Sequence, residues 1–124
     1  MDERKRHTKG MKVRRAVLGN AHVDRANAGK NSFNSPFQEL ITRYAWGEIW
    51  TRAALPRKTR SLITIAMMVA LNRPEELRMH LQAAANNGVT TKEIQEVLLQ
   101  TAIYCGVAAA NSAFHIANEV LREK

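Results

Sequence analysis

An all-α fold is what this chain of 124 residues predicts. Apolar residues recur at three- and four-residue steps, helix-start and helix-stop signals separate them, and no stretch alternates as a strand would. Roughly six or seven helices of ordinary length fit the chain. At this length residues 1–124 read as one domain with a modest core. Hydrophobic residues make up 45% of the chain but aromatics only 6%, so Ala, Leu, Ile, Val and Met must fill that core. Small interiors of this kind gain burial by self-association, and a homo-oligomer is the expected state.

The first helix carries Met11, Val13, Ala16, Val17 and Leu18 on or near its buried side. Residues 1–10 either join it or stand off as a mobile basic arm. Ser35-Pro36 starts another helix, since proline is tolerated in a first turn. Phe37, Leu40, Ile41, Tyr44 and Ala45 continue it with a 3.6-residue pattern. Pro56 opens the helix of Leu62, Ile65, Ala66, Met68 and Val69, and Pro74 restarts the chain after Asn72-Arg73. Asn87-Gly88 resembles a hairpin turn. However, Leu77, Leu81, Ala84 and Ala85 before it step at helical intervals, so Gly88 reads as a left-handed helix cap.

Thr90 and Glu93 then form a capping box, leading into Ile94, Val97, Leu98, Thr101 and Ala102. Gly106 separates this helix from the last, which runs from Ala108 to about Leu121. The small residues Ala83–Ala85 and Ala108–Ala110 imply close helix–helix approach.

The formal net charge is +8. Arg4, Lys5, Arg6, Lys9, Lys12, Arg14 and Arg15 concentrate it near the N-terminus. Such a cluster serves either a nucleic acid or, as the preferred reading, the solvated face of a helix. Excess positive charge also raises the encounter rate with a dianionic metabolite. The single Cys105 excludes an intramolecular disulfide and a Cys-rich metal site. No apolar run approaches the roughly 20 residues that span a bilayer, and Met1–His7 lacks a signal peptide's apolar core. A cytoplasmic protein without a membrane partner is expected.

The residues that could carry chemistry cluster between Glu48 and His80. Glu76 precedes His80 by four residues, which makes the side chains neighbours on a helix. A carboxylate there favours the protonated imidazole, a proton donor near neutral pH. The same spacing also describes an ordinary surface pair. Arg52, Arg57, Lys58 and Arg60 surround Pro56 without an acidic residue. Arginine's planar fork suits carboxylates, whereas Arg57 and Lys58 read as a solvated turn. Glu48 lies between Trp46 and Trp50, either partly desolvated by the indoles or exposed at a helix end. His115 reads as a satisfied structural group, Cys105 as a buried inert thiol, and His7 and His22 as non-catalytic. No metal-ligand set emerges, and no cofactor is called for.

The strings Trp46-Gly47-Glu48-Ile49-Trp50-Thr51-Arg52 and Arg60-Ser61-Leu62-Ile63-Thr64-Ile65-Ala66 resemble those of the carboxymuconolactone decarboxylase family. So do Pro74-Glu75-Glu76-Leu77-Arg78-Met79-His80, Asn86-Asn87-Gly88-Val89-Thr90 and Tyr104-Cys105-Gly106. The likeness runs from about Met11 to Leu121 in the family's order. It implies an all-helical homohexamer that decarboxylates 4-carboxymuconolactone to 3-oxoadipate enol-lactone and CO2 without a cofactor. That step lies in the protocatechuate branch of the β-ketoadipate pathway. The partner would be a small dicarboxylate lactone.

On this resemblance His80 donates the proton and Glu76 holds its orientation. Arg52 and Arg60 anchor carboxylates, Glu48 is a second acid, and Trp50 walls the pocket. The family's thiol peroxidases carry Cys-x-x-Cys-x-x-x-His, but Arg73 and Glu76 occupy the cysteine positions here, and their upstream glutamate falls on Ser61. Peroxide chemistry therefore lacks its nucleophile. The alternatives are a same-fold enzyme for another lactone or for peroxides, and a non-enzymatic basic binding module.

Overall fold

The computed structural model describes residues 2–123. Every regular element among them is helical, with no strand. Two compact units, Met1–Pro56 and Arg57–Lys124, divide the chain.

In the first unit, α1 spans Glu3–Leu18, so residues 3–10 belong to a helix. The Asp2 carboxylate accepts a hydrogen bond from the Lys5 amide at 2.8 Å, and Glu3 in the first turn and Arg15 in the last complement the helix dipole. Val13, Val17 and Leu18 are buried and Met11 is half-buried. Ala16, expected near the buried side, is exposed because it lies on the flank of the stripe set by Val13 and Val17. Gly19, at φ 92°, separates α1 from α2 (Asn20–Ala28).

The helix α3 covers Ser35–Ile41 with Pro36 in its first turn. The chain then winds on as a π-helical segment over Thr42–Ile49. Its wider turn shifts the facing of every later residue, so the expected 3.6-residue pattern does not persist. Thr42, Trp46 and Gly47 are buried, while Phe37, Leu40 and Tyr44, expected inside, are exposed.

Glycine makes the packing of α1 on this segment possible. A Cβ on Gly10 would overlap the Thr42 carbonyl, and one on Gly47 would lie 2.5 Å from the Arg6 carbonyl oxygen. Beside this contact the buried Arg14 donates to Thr42 Oγ1 at 3.3 Å and to Gln38 Oε1 at 3.0 Å.

The second unit is a four-helix arrangement: α4 (Arg57–Ala70), α5 (Pro74–Ala83), α6 (Thr91–Tyr104) and α7 (Val107–Arg122). Asn72, at φ 57°, reverses the chain before Pro74 begins α5. Its core joins Ile65 and Val69, Leu77 and Leu81, Ile94 and Leu98, and Ala113, Ala117 and Val120. Apolar burial of this kind stabilises by about 25 cal/mol per Å². Ala83, Ala84 and Ala110 are buried where small residues predicted close approach, but Ala85 and Ala108 are exposed.

A 3-10 turn at Ala84–Asn87 ends on left-handed Gly88, as its cap role required. The Thr90–Glu93 capping box is formed, with reciprocal bonds of 3.1 and 2.9 Å. Lys58 reaches Glu93 at 2.7 Å, so it is not merely a solvated turn residue. Arg78 on α5 pairs with Glu119 on α7 at 2.6 Å. Among the described residues no helix is long and apolar enough to cross a membrane.

Candidate active site

The predicted residues fall into two groups, one in each unit. Glu48 belongs to the π-helical segment, Trp50 caps it, and Arg52 follows within two residues. Trp46 and Trp50 stack obliquely with ring centroids 5.2 Å apart, the first buried and the second half-buried. Arg52 is exposed, its amide donating to the Ile49 carbonyl at 3.1 Å.

Glu48 has a partner that the indoles did not suggest. Arg6, reaching across from α1, donates from Nη1 to Glu48 Oε2. Arg6 also donates to Glu3 Oε1 at 3.3 Å, and its guanidinium sits over the Tyr44 ring at 5.2 Å. Partial burial works against its charge, but Glu48 and Glu3 more than offset this and hold its pKa above the usual guanidinium value. A small ionic network surrounds it. Arg43 reaches Glu3 at 3.1 Å, His7 meets Glu39 at 3.0 Å, and Lys30 pairs with Glu39.

In the second unit Arg60 lies in the first turns of α4, half-buried, and its carbonyl accepts from Thr64 Oγ1 at 2.8 Å. On α5 His80 is buried at 8% exposure, whereas Glu76, one turn earlier, is exposed near the helix start. A carboxylate at that end is favoured by the helix dipole. Ser61 is 1% exposed, and its Oγ has no hydrogen-bond partner.

Two expectations about other residues are corrected, those for Cys105 and for the basic N-terminal cluster. His115, expected as a satisfied structural group, has a partner but lies at the surface. Its side chain is 77% exposed and meets Glu119 at 3.1 Å, because its position on α7 turns away from the alanine stripe of the core. Cys105 is half-buried at the end of α6, and lines an apolar cavity of about 430 Å³ with Leu62, Met67, Val97 and Thr101. Of the basic N-terminal residues, Arg6, Arg14 and Arg15 are not simply solvated. Arg15 bonds Asp24 at 2.9 Å, and the other two hold the π-helical segment. Among the described residues no cluster of three or more His, Cys, Asp or Glu side chains could hold a metal ion.

Sequence reasoning missed Arg6 and the π-helical winding. The one available signal was the pairing of Gly10 with Gly47, two glycines inside otherwise helical stretches.

Comparison with known proteins places these residues in context. The model of the carboxymuconolactone decarboxylase family matches residues 35–119, a span that includes Glu48, Arg52, Arg60, Glu76 and His80. A 4-carboxymuconolactone decarboxylase of Acinetobacter baylyi is 50% identical over 123 residues, covering 99% of this chain and 92% of that protein. The nitrosuccinic acid decarboxylase npaB of Metarhizium robertsii is 40% identical over 114 residues, 92% of this chain and 80% of its own. A 4-carboxymuconolactone decarboxylase sequence from Pseudomonas putida is 60% identical over 48 residues, which are 39% of this chain and all of that one. With its family region matched and a relative aligned along nearly its whole length, the chain belongs to the carboxymuconolactone decarboxylase family.

Proposed function

We propose that this chain decarboxylates 4-carboxymuconolactone to 3-oxoadipate enol-lactone and CO2, in the protocatechuate branch of the β-ketoadipate pathway. The observation that carries this reading is the 50% identity to the Acinetobacter decarboxylase across 99% of the chain. The chemistry needs no external electron sink. As the bond from the γ-carbon to its carboxylate breaks, the electron pair moves through the conjugated C=C into the lactone carbonyl. Protonation of the resulting dienolate at the α-carbon gives the enol-lactone.

The protein therefore has three tasks: to hold two carboxylates, to stabilise the enolate oxygen and to deliver one proton. His80 is the proton donor in this proposal, its burial excluding competing water, and Glu76 biases its orientation from the preceding turn. Arg52 and Arg60 hold carboxylates, Trp50 walls the pocket and Glu48 is the second acid–base group. The stronger grip belongs on the acetate arm, since tight binding of the departing carboxylate would be lost in the transition state. Nitrosuccinic acid, named for the fungal relative, poses a similar demand, with a nitro group as the sink.

The protein works in the cytoplasm as a homo-oligomer, a hexamer on the family resemblance. Its apolar surface supports association. Ile103, Tyr104 and Val107 are each more than three-quarters exposed, and Met67 and Leu71 more than half. The basic-module alternative is disfavoured by the engagement of Arg6, Arg14 and Arg15 within the first unit. Peroxide chemistry is disfavoured by Arg73 and Glu76 in place of a thiol pair.

The deciding assay follows CO2 release and the ultraviolet change on freshly generated 4-carboxymuconolactone. Turnover without added metal or cofactor supports the proposal. No turnover by folded protein overturns it.

A further inference from the structure

We infer that Arg6 is a positioning residue for Glu48, fixing the carboxylate that the π-helical segment presents. This inference rests on the reading above that Glu48 takes part in the reaction. Arg6 brackets the Gly47-Glu48 step from two sides. Its carbonyl oxygen lies where a Cβ on Gly47 would come within 2.5 Å, and its Nη1 donates to Glu48 Oε2. The guanidinium is itself held, by Glu3 at 3.3 Å through Nε and by the Tyr44 ring beneath it at 5.2 Å. Tyr44 is in turn tied to Glu3, its hydroxyl donating to Oε2 at 3.1 Å.

The result is a clamp with little freedom. Arg6's side chain is 16% exposed, against 43% for Glu48. One carboxylate oxygen is thus engaged from within the unit while the group stays open to an incoming molecule. A ligand-facing carboxyl that is oriented from behind is what acid–base chemistry requires.

The backbone carries the same message. A π-helical winding is rare and is frequently found at functional sites. Here Gly10 and Gly47 admit α1 against it, and Arg6 and Arg14 each bond to one of its side chains. A partly exposed ion pair contributes little to stability in general, so a purely structural Arg6 should be replaceable at small cost to folding and none to catalysis.

The test compares Arg6→Gln, Arg6→Lys, Glu48→Gln and the Arg6→Gln/Glu48→Gln double variant of the full chain. It measures kcat, KM and melting temperature with 4-carboxymuconolactone. A displaced catalytic group costs about 10- to 100-fold in rate, and a loss of that size in kcat is expected for Arg6→Gln, with KM and melting temperature nearly unchanged. Arg6→Lys, which keeps the charge but not the planar fork, should recover part of it. The double variant should be no slower than Glu48→Gln alone, since Arg6 acts through Glu48. Wild-type kcat in Arg6→Gln beside a slow Glu48→Gln would overturn the positioning role alone. Full activity in Glu48→Gln would overturn both that role and the assignment of Glu48 to the reaction. Should Arg6→Gln not fold, Arg6→Lys decides: wild-type kcat in it overturns the inference.

Discussion

Gly10 and Thr42 approach so closely that no side chain fits between them: a Cβ on Gly10 would overlap the Thr42 carbonyl oxygen. This contact sets the distance between α1 and the π-helical segment, and so where Glu48 and Trp50 are presented. Gly10→Ala must push the two backbones apart. Overpacking of this kind costs about 1–3 kcal/mol. The expected outcome is a lowered denaturation midpoint and a parallel loss of turnover, measured by denaturant titration and by the decarboxylation assay.

Acid should weaken the second unit through identifiable carboxylates. The bond from Arg78 holds Glu119 below its ordinary value near 4.5, and the bond from Lys58, aided by the Thr90 amide, does the same for Glu93. Folded carboxylates then bind a proton less readily than unfolded ones. Their contribution is complete above about pH 4.5 and is lost as pH falls through the depressed values. Arg78→Gln should lower stability at neutral pH and flatten its decline below pH 4.5. Equilibrium unfolding at a series of pH values checks this, and an unchanged acid slope would refute it.

His22 predicts a second slope at higher pH. Burial lowers its pKa below 6.5, with the charges of Arg14 and Arg25 adding to the effect. The unfolded chain thus takes up the proton first, and stability declines as pH drops from 6.5 toward the depressed folded value. His22→Gln should remove that component while leaving the carboxylate limb intact. The same unfolding series separates the two, because their pH windows differ.

How legible all this was depends on how local each cause is. Gly88, Pro74 and the Thr90–Glu93 box were readable because a cap is specified by a few adjacent residues, and each sits where its pattern put it. The turn from α-helical to π-helical winding after Ile41 was not, since its causes lie some thirty residues upstream in α1, at Gly10 and Arg14. Within that segment Tyr44 therefore looked like core and proved exposed, whereas Phe37 and Leu40 lie before it on α3, a helix with no buried residue. Within the candidate site, spacing identified Glu76 and His80 as neighbours in sequence but not the contrast between an exposed carboxyl and a buried imidazole. Arg6 was invisible as Glu48's partner because 42 residues separate them.

The proposed roles of His80 and Arg60 differ in what their removal does to the kinetics. A lost proton donor typically costs about 10²–10⁴-fold in rate, so folded His80→Ala should lose kcat by that order. Arg60→Ala should mainly raise KM if it only holds a carboxylate. An equal fall in kcat and kcat/KM would instead assign it to the enolate oxygen. Near wild-type turnover in folded His80→Ala would remove His80 from the acid role.

The apolar surface of the second unit gives a prediction about assembly. Ile103, Tyr104 and Val107 sit at the α6–α7 junction, beside the cavity that Leu62, Met67 and Cys105 line on α4 and α6. Contiguous exposed apolar side chains of this size are uncommon on a monomer and mark a surface that something covers. A stable interface buries about 800 Å² on each partner, and its centre is where charge is least tolerated. If the proposed oligomer packs on this face, Ile103→Glu places there a carboxylate that assembly must desolvate. The substitution leaves the core untouched, because Ile103 is 79% exposed in the isolated chain. Sedimentation velocity should therefore show a smaller species for Ile103→Glu with its helical circular dichroism retained. An assembly unchanged in size would mean that this face lies outside the subunit contacts.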